Sequence, residues 1–174
     1  ALSVGIATSY IPVATSISKE DEKNKFTNNL INICIVITLI GAILIILFPK
    51  VVLLFFASGF KGATYNYAID MIKITAFSVI PIMAAHILQA YLQMRNRFIG
   101  TALYGIIVNL VLIGFVLISS EDSAYLLSIG MVVANSAVLI FLWYDANLSG
   151  YEHHFLLNVK DRNIKKMAVL TAPI

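Results

Sequence analysis

The sequence predicts an all-α fold: a polytopic bundle of transmembrane helices with about five spans and the start of a sixth. Composition is the first observation behind this. Hydrophobic residues make up 60% of the 174-residue chain and charged residues only 12%, where a soluble domain carries about a quarter charged; mean hydropathy is +0.90. The second is length. Several uncharged stretches approach or exceed the roughly 20 apolar residues that carry a helix across a bilayer core of about 30 Å. A water-soluble helical bundle would show a polar face every 3.6 residues, yet Ile33 to Phe48 offers only Thr38. The third is the way charge alternates between those stretches.

The first span covers residues 1–18. The second covers 26–57, uncharged from Phe26 to Pro49 and continuing past Lys50. The third covers 65–94, uncharged from Ile74 onward and preceded by the polar-flanked Tyr65 to Lys73. The fourth and fifth cover 98–120 and 123–144. Residues 145–166 read as a linker, and 167–174 begin a further transmembrane helix. Ala1 and Ile174 both fall inside apolar runs, with no initiating Met and no charged segment ahead of the first run. The sequence therefore reads as an internal piece of a longer protein, without a signal peptide.

Nine of the twelve basic residues sit in alternate connections: Lys19 to Lys25, Arg95 to Arg97, and Asp145 to Lys166. The positive-inside bias places these in the cytoplasm. The turns at Ser58-Gly59-Phe60-Lys61 and at Glu121-Asp122 then face outward, and every span reverses side. In the last connection Tyr151, Phe155, Leu156 and Val159 fall at helical spacing, roughly opposite His153, Lys160 and Asp161. Such a segment could lie amphipathically in the headgroup region, although Glu152 falls on its apolar side; the alternative is a mobile loop.

Polar residues within spans need partners or a water-filled cavity, because lipid cannot satisfy them. Thr75, Ser78, His86, Gln89 and Gln93 share one helical face of the third span, as expected of a cavity wall or of a helix-to-helix hydrogen-bonded seam. Pro81 interrupts that helix and predicts a bend. Thr101, Gly105 and Asn109 align on the fourth span, Ser128 and Asn135 on the fifth, and Thr8, Pro12 and Thr15 on the first. Asn28 and Asn32 open the second. Gly100 and Gly105 would let a neighbouring helix approach closely. Asp70 and Lys73, three apart, would pair with each other.

A net charge of +3 is too mild to suggest nucleic acid. His153-His154 is adjacent rather than spaced as a metal pair, and no carboxylate or cysteine cluster supports a metal site. Phosphate loops, dinucleotide fingerprints and nucleophile elbows are absent from the sequence, so neither a cofactor nor an enzyme is expected. Cys34 is the lone cysteine, which excludes an intrachain disulfide.

Short motifs, taken together, resemble the MurJ (MviN) lipid II flippase family within the multidrug/oligosaccharidyl-lipid/polysaccharide exporter superfamily. Tyr10-Ile11-Pro12-Val13 is similar to the family's aromatic–aliphatic–Pro–Val element ahead of a charged cytoplasmic loop. Ala57-Ser58-Gly59-Phe60 resembles its Ala-Pro-Gly-Phe turn. Lys73-Ile74-Thr75, Asn96-Arg97-Phe98 and Asn109 fall at family positions in and before the following spans. Departures are Phe77 and Ser58 where the family has proline, and Thr101 and Gly105 where prolines follow Arg-Phe.

The resemblance implies the second to sixth helices, and the start of the seventh, of the amino-terminal lobe of a two-lobed, fourteen-helix alternating-access transporter. It would belong in the bacterial cytoplasmic membrane. The implied partner is a lipid-linked anion, lipid II, together with membrane lipids. Candidate cavity residues are Ser78, His86, Gln89, Gln93, Asn109 and Asn135. Arg95 and Arg97 stand at the expected cytoplasmic mouth, where they could recruit a diphosphate or simply anchor topology. Pro12, Gly59, Phe60 and Pro81 are the expected hinge or turn positions. Alternatives are a polysaccharide or multidrug exporter of the same superfamily, or a membrane-embedded lipid-processing enzyme. The main anion-binding residues are expected outside this chain.

Overall fold

A computed structural model describes residues 2–57, 59–119 and 124–171. Ser58, Glu121 and Asp122, placed by the sequence in outward turns, lie outside the described residues. Among the described residues eight α-helices follow one another: α1 (Leu2–Thr15), α2 (Glu20–Leu47), α3 (Pro49–Phe56), α4 (Gly62–Thr75), α5 (Val79–Met94), α6 (Ile99–Ile118), α7 (Ala124–Leu148) and α8 (Arg162–Thr171). Among the described residues four helical stretches are long and apolar enough to cross a membrane: Glu20–Leu47, Gly62–Met94, Ile99–Ile118 and Tyr125–Leu148. The sequence predicts a further span over residues 1–18; the helix described there has 14 residues, about 21 Å at 1.5 Å per residue.

Several boundaries move for physical reasons. Helix α2 starts at Glu20 rather than Phe26, because Glu20, Asp21 and Glu22 occupy its first turn, where carboxylates complement the helix dipole. Within that charged turn Lys23 pairs with Glu20 at 2.8 Å and Lys25 with Asp21 at 2.6 Å. The expected second span divides at Phe48, and α3 restarts with Pro49 at its first position, where the missing N–H would have no helical partner and proline's fixed φ suits the helix. Pro81 has a comparable effect on the third span. It leaves the carbonyl of Phe77 without its helical donor, and a three-residue 3₁₀ turn, Ala76–Ser78, lies just ahead of it between α4 and α5. Pro12 sits inside α1 without ending it.

Two helices end on the same device. Asn96 (φ 58°) and Gly150 (φ 88°) take left-handed conformations. Around them Arg97 donates to the carbonyl of Leu92 at 2.9 Å and Tyr151 to that of Ala146 at 3.0 Å, the long-range bond of a Schellman cap. Helix α8 begins at Arg162, five residues ahead of the expected Met167. There the Asp161 carboxylate accepts from the amides of Asn163 at 2.7 Å and Ile164 at 3.3 Å, as an N-cap does.

Helix α5 is the centre of the bundle, packed against α1, α2 and α7. Its Met83, Ile87, Leu88, Tyr91 and Leu92 are buried with Tyr10 and Val13 of α1, Phe26, Leu30 and Ile31 of α2, and Val138 and Leu142 of α7. Tyr10 stacks on Phe26 with centroids 5.6 Å apart, and its hydroxyl meets that of Thr27 at 2.7 Å. By contrast, Ile37, Ile40, Leu44 and Leu47 on α2 and Leu110, Leu117 and Ile118 on α6 are all more than half exposed. A soluble surface would not carry such a belt; lipid or further protein accepts it.

Helix α6 rests mainly on α7 through a glycine at each end. A Cβ on Gly100 would come within 2.7 Å of Leu142 Cδ2, and one on Gly130 within 2.8 Å of Phe115 Cγ, whereas Gly105 faces open space. Close approach therefore uses Gly100 and Gly130, not Gly105. Gly130→Val is expected to cost about 1–3 kcal/mol through overpacking against Phe115, read as a lower thermal midpoint in detergent, while Gly105→Ala leaves the midpoint in place. Equal midpoints for Gly130→Val and the parent would show that the helices separate freely.

Candidate functional site

The interior polar residues of α5 gather beside α1. His86, Gln89 and Gln93, at steps of three and four, line one side of a cavity of about 240 Å³, and Ala7, Thr8, Ile11 and Ala90 complete its wall. All three polar side chains are half-buried. The His86 Nδ1 stands 3.3 Å from Gln89 Oε1. Gln93 donates through Nε2 to the Thr101 hydroxyl of α6 at 3.1 Å.

A polar path leads from this wall into the neighbouring helices. The His86 imidazole stacks on Tyr104 of α6, centroids 5.6 Å apart and planes 19° from parallel. Tyr104 donates to Asn135 Oδ1 of α7 at 3.4 Å, and Asn135 Nδ2 donates to the carbonyl of Met131 at 2.7 Å. Asn135 is 3% exposed. It therefore stands behind the His86–Tyr104 stack and does not line the cavity. The arrangement can present amide and imidazole hydrogen-bonding groups to a polar solute, and among the described residues its lining holds no acid or cation.

Other sequence candidates are placed elsewhere. Ser78 is buried at the 3₁₀ turn and donates to the carbonyl of Thr75 at 2.6 Å, while the Thr75 hydroxyl turns back to Met71 at 2.9 Å. The tighter turn shifts the phase of the stripe, so its first two members are spent on their own backbone. Asn109 is exposed on α6, away from the cavity. Pro12 and Thr15 are exposed too, and of the first-span stripe only Thr8 reaches the cavity. Gly59 and Phe60 are exposed in the connection before α4, where the positive φ belongs to Gly62, at 62°.

Arg95 and Arg97 are both engaged at the helix ends. Arg95 pairs with Glu20 and lies 5.0 Å over the Tyr91 ring; Arg97 pairs with Asp145. In this arrangement they fasten α5 to α2 and the α5–α6 turn to α7.

The same end carries a feature that helical spacing concealed. Residues 151–158 form neither a helix nor a regular strand, and an asparagine ladder on α2 holds them. Asn24 donates to the carbonyl of Gly150 at 3.1 Å, Asn28 to Glu152 at 2.8 Å, and Asn32 to Leu156 at 3.0 Å and His154 at 3.4 Å. Asn29 donates to the carbonyl of Asn158 at 2.9 Å and accepts from its amide at 2.7 Å. Four asparagines thus reach the carbonyls of every second residue from 150 to 158. Tyr151 anchors the segment, 2% exposed, with its hydroxyl on Asn28 Oδ1 at 2.6 Å. Of the two readings the sequence leaves open, the amphipathic helix does not form; this strap stands in its place, because the ladder supplies partners that helix formation would otherwise supply. The signal was present as Asn24, Asn28 and Asn32 at four-residue steps. Burial pushes the Tyr151 phenol up and the His153 imidazole down from their ordinary values, with His154 adding to the latter.

A family profile described as lipid II flippase MurJ matches residues 4–173. Among solved structures, one titled "Lipid II flippase MurJ, inward closed conformation" superposes with a TM-score of 0.82 at 21% identity, over 97% of this chain and 36% of that one. The chain thus spans about a third of the length of the solved relative. No curated protein matches the sequence.

Proposed function

Because this chain belongs to the MurJ lipid II flippase family, we propose that it forms part of the amino-terminal lobe of an alternating-access transporter that moves lipid II across the bacterial cytoplasmic membrane. The family match across nearly the whole chain carries this reading, and the multi-pass helical fold supports it. Within the lobe, the cavity walled by His86, Gln89 and Gln93 serves the polar part of the substrate. Amides and an imidazole suit sugar hydroxyls and peptide groups, which need paired donors and acceptors in a dry site. The diphosphate needs cations, and the cavity lining supplies none. Those cations come from other parts of the full transporter.

Gln89→Leu with Gln93→Leu tests the assignment in the full chain. Exposure of lipid II at the outer leaflet is expected to fall by about tenfold, the loss of roughly 1.4 kcal/mol of substrate interaction, with membrane insertion retained. Unchanged exposure with normal insertion would remove these residues from the transport path.

A further inference from the structure

At the end of the bundle opposite the arginine pairs, the α2–α3 break opens a groove against α4. It has a volume of about 440 Å³ and is lined by Ile46, Leu47, Phe48, Val51 and Ile69, with Lys50 and Lys73 among its walls. Lys50 and Val51 also border a second hollow of about 290 Å³, walled by Leu53, Leu54 and Ala57 and by Tyr65 of α4. Helix α2 has 28 residues, about 42 Å of helix, which exceeds the roughly 30 Å hydrocarbon core. Its acidic first turn and this groove therefore lie at opposite membrane surfaces.

The two lysines are poorly spoken for. Lys50 is exposed and makes no ion pair among the described residues. Lys73 reaches Asp70 only at 3.4 Å, with both side chains close to half exposed. Asp70 is in turn shared with the Tyr125 hydroxyl at 3.2 Å. Basic residues at the non-cytoplasmic end run against the usual charge bias, so these two call for a local reason. A soluble anion would satisfy the ammonium groups yet leave the aliphatic walls wet. A lipid satisfies both.

We propose that this groove binds an anionic phospholipid, its headgroup phosphate between Lys50 and Lys73 and an acyl chain along the exposed Leu44, Leu47 and Phe48 of α2. The headgroup displaces Asp70 from Lys73, and the apolar walls strengthen the phosphate–ammonium contact by excluding water. Placement in the outer leaflet rests on the proposed orientation; the binding itself does not rest on the transport reading.

The test is native mass spectrometry of the full chain released from membranes containing phosphatidylglycerol and phosphatidylcholine. The parent should retain phosphatidylglycerol preferentially, and K50Q/K73Q should lower that retention at least threefold. Asp70→Asn, which frees Lys73, should raise it. Lys61→Gln removes an exposed cation outside the groove and should leave retention as it was, as should Gln89→Leu with Gln93→Leu, which separates this site from the transport cavity. Equal retention by K50Q/K73Q and the parent would overturn the site. So would an equal loss in Lys61→Gln, which would trace the attraction to diffuse surface charge.

Discussion

Replacing Asn28 and Asn32 together by Ala should release the strap between α7 and α8. Trypsin should then cut rapidly at Lys160 and Arg162 while the spanning helices stay intact. In the parent, the two asparagines hold the carbonyls of Glu152, His154 and Leu156, and Asn28 also receives the Tyr151 hydroxyl. Each buried group left without a partner costs about 1–3 kcal/mol. The bundle can avoid that cost by letting the strap lift into water, because Phe155 and Val159 are already 80% and 64% exposed. Local release, not global unfolding, is therefore the expected outcome. Acid should act in the same direction. The His153 ring lies 4.8 Å from Trp143, and its Nδ1 is 3.1 Å from the Tyr151 hydroxyl. Burial there holds the imidazole below its ordinary value. A freed strap takes up the proton more readily than a docked one, so docking is strongest at neutral pH and weakens as pH falls through the histidine range near 6.5. Cleavage equally slow in N28A/N32A and the parent, at pH 7.5 and at pH 5.5, would show that Tyr151 together with the remaining Asn24 and Asn29 contacts secures the segment without Asn28 or Asn32.

The strap also marks the limit of what the sequence discloses. Helical identity was legible wherever lipid is the solvent: Ile33 to Phe48 leaves no alternative reading, and Ile99–Ile118 forms one uninterrupted helix almost where its apolar run predicts. Elements fixed by polar side chains from distant parts of the chain were not legible. Tyr151, Phe155 and Val159 have helical spacing, but Asn28 and Asn32, more than 120 residues away, decide their conformation. In the same way His86, Gln89 and Gln93 could be grouped from spacing alone, whereas Ala7 and Ile11, which complete the cavity, carry no chemical signal. Ser78 and Asn109 share the polarity of the cavity residues; the 3₁₀ turn and the outward face of α6 take them elsewhere. Gly130 is one more such case, since only the approach of Phe115 distinguishes it from Gly105.

Arg97→Gln should destabilise the chain more than loss of any other surface cation, because it strands Asp145. That carboxylate has a side chain only 11% exposed, against 41% for Arg97. Its Oδ2 is buried without a hydrogen-bond partner, close to Gly100 at the start of α6. Breaking a fully buried pair costs about 3–5 kcal/mol. Solvent around the Arg97 head lowers the expected figure to about 2 kcal/mol, still above the 0–1 kcal/mol typical of exposed surface pairs. The pair closes the α5–α6 turn against the end of α7, so the loss should appear first as separation of α6 from α7. Asp145→Asn removes the charge rather than stranding it and should cost less. Combined with Arg97→Gln, it should recover much of the stability lost to Arg97→Gln alone, which gives the double-mutant cycle a favourable coupling. Thermal unfolding of the four proteins in one detergent at low and high salt decides the matter. Additive losses across the cycle would reduce Arg97 to a topology anchor whose carboxylate neighbour is incidental.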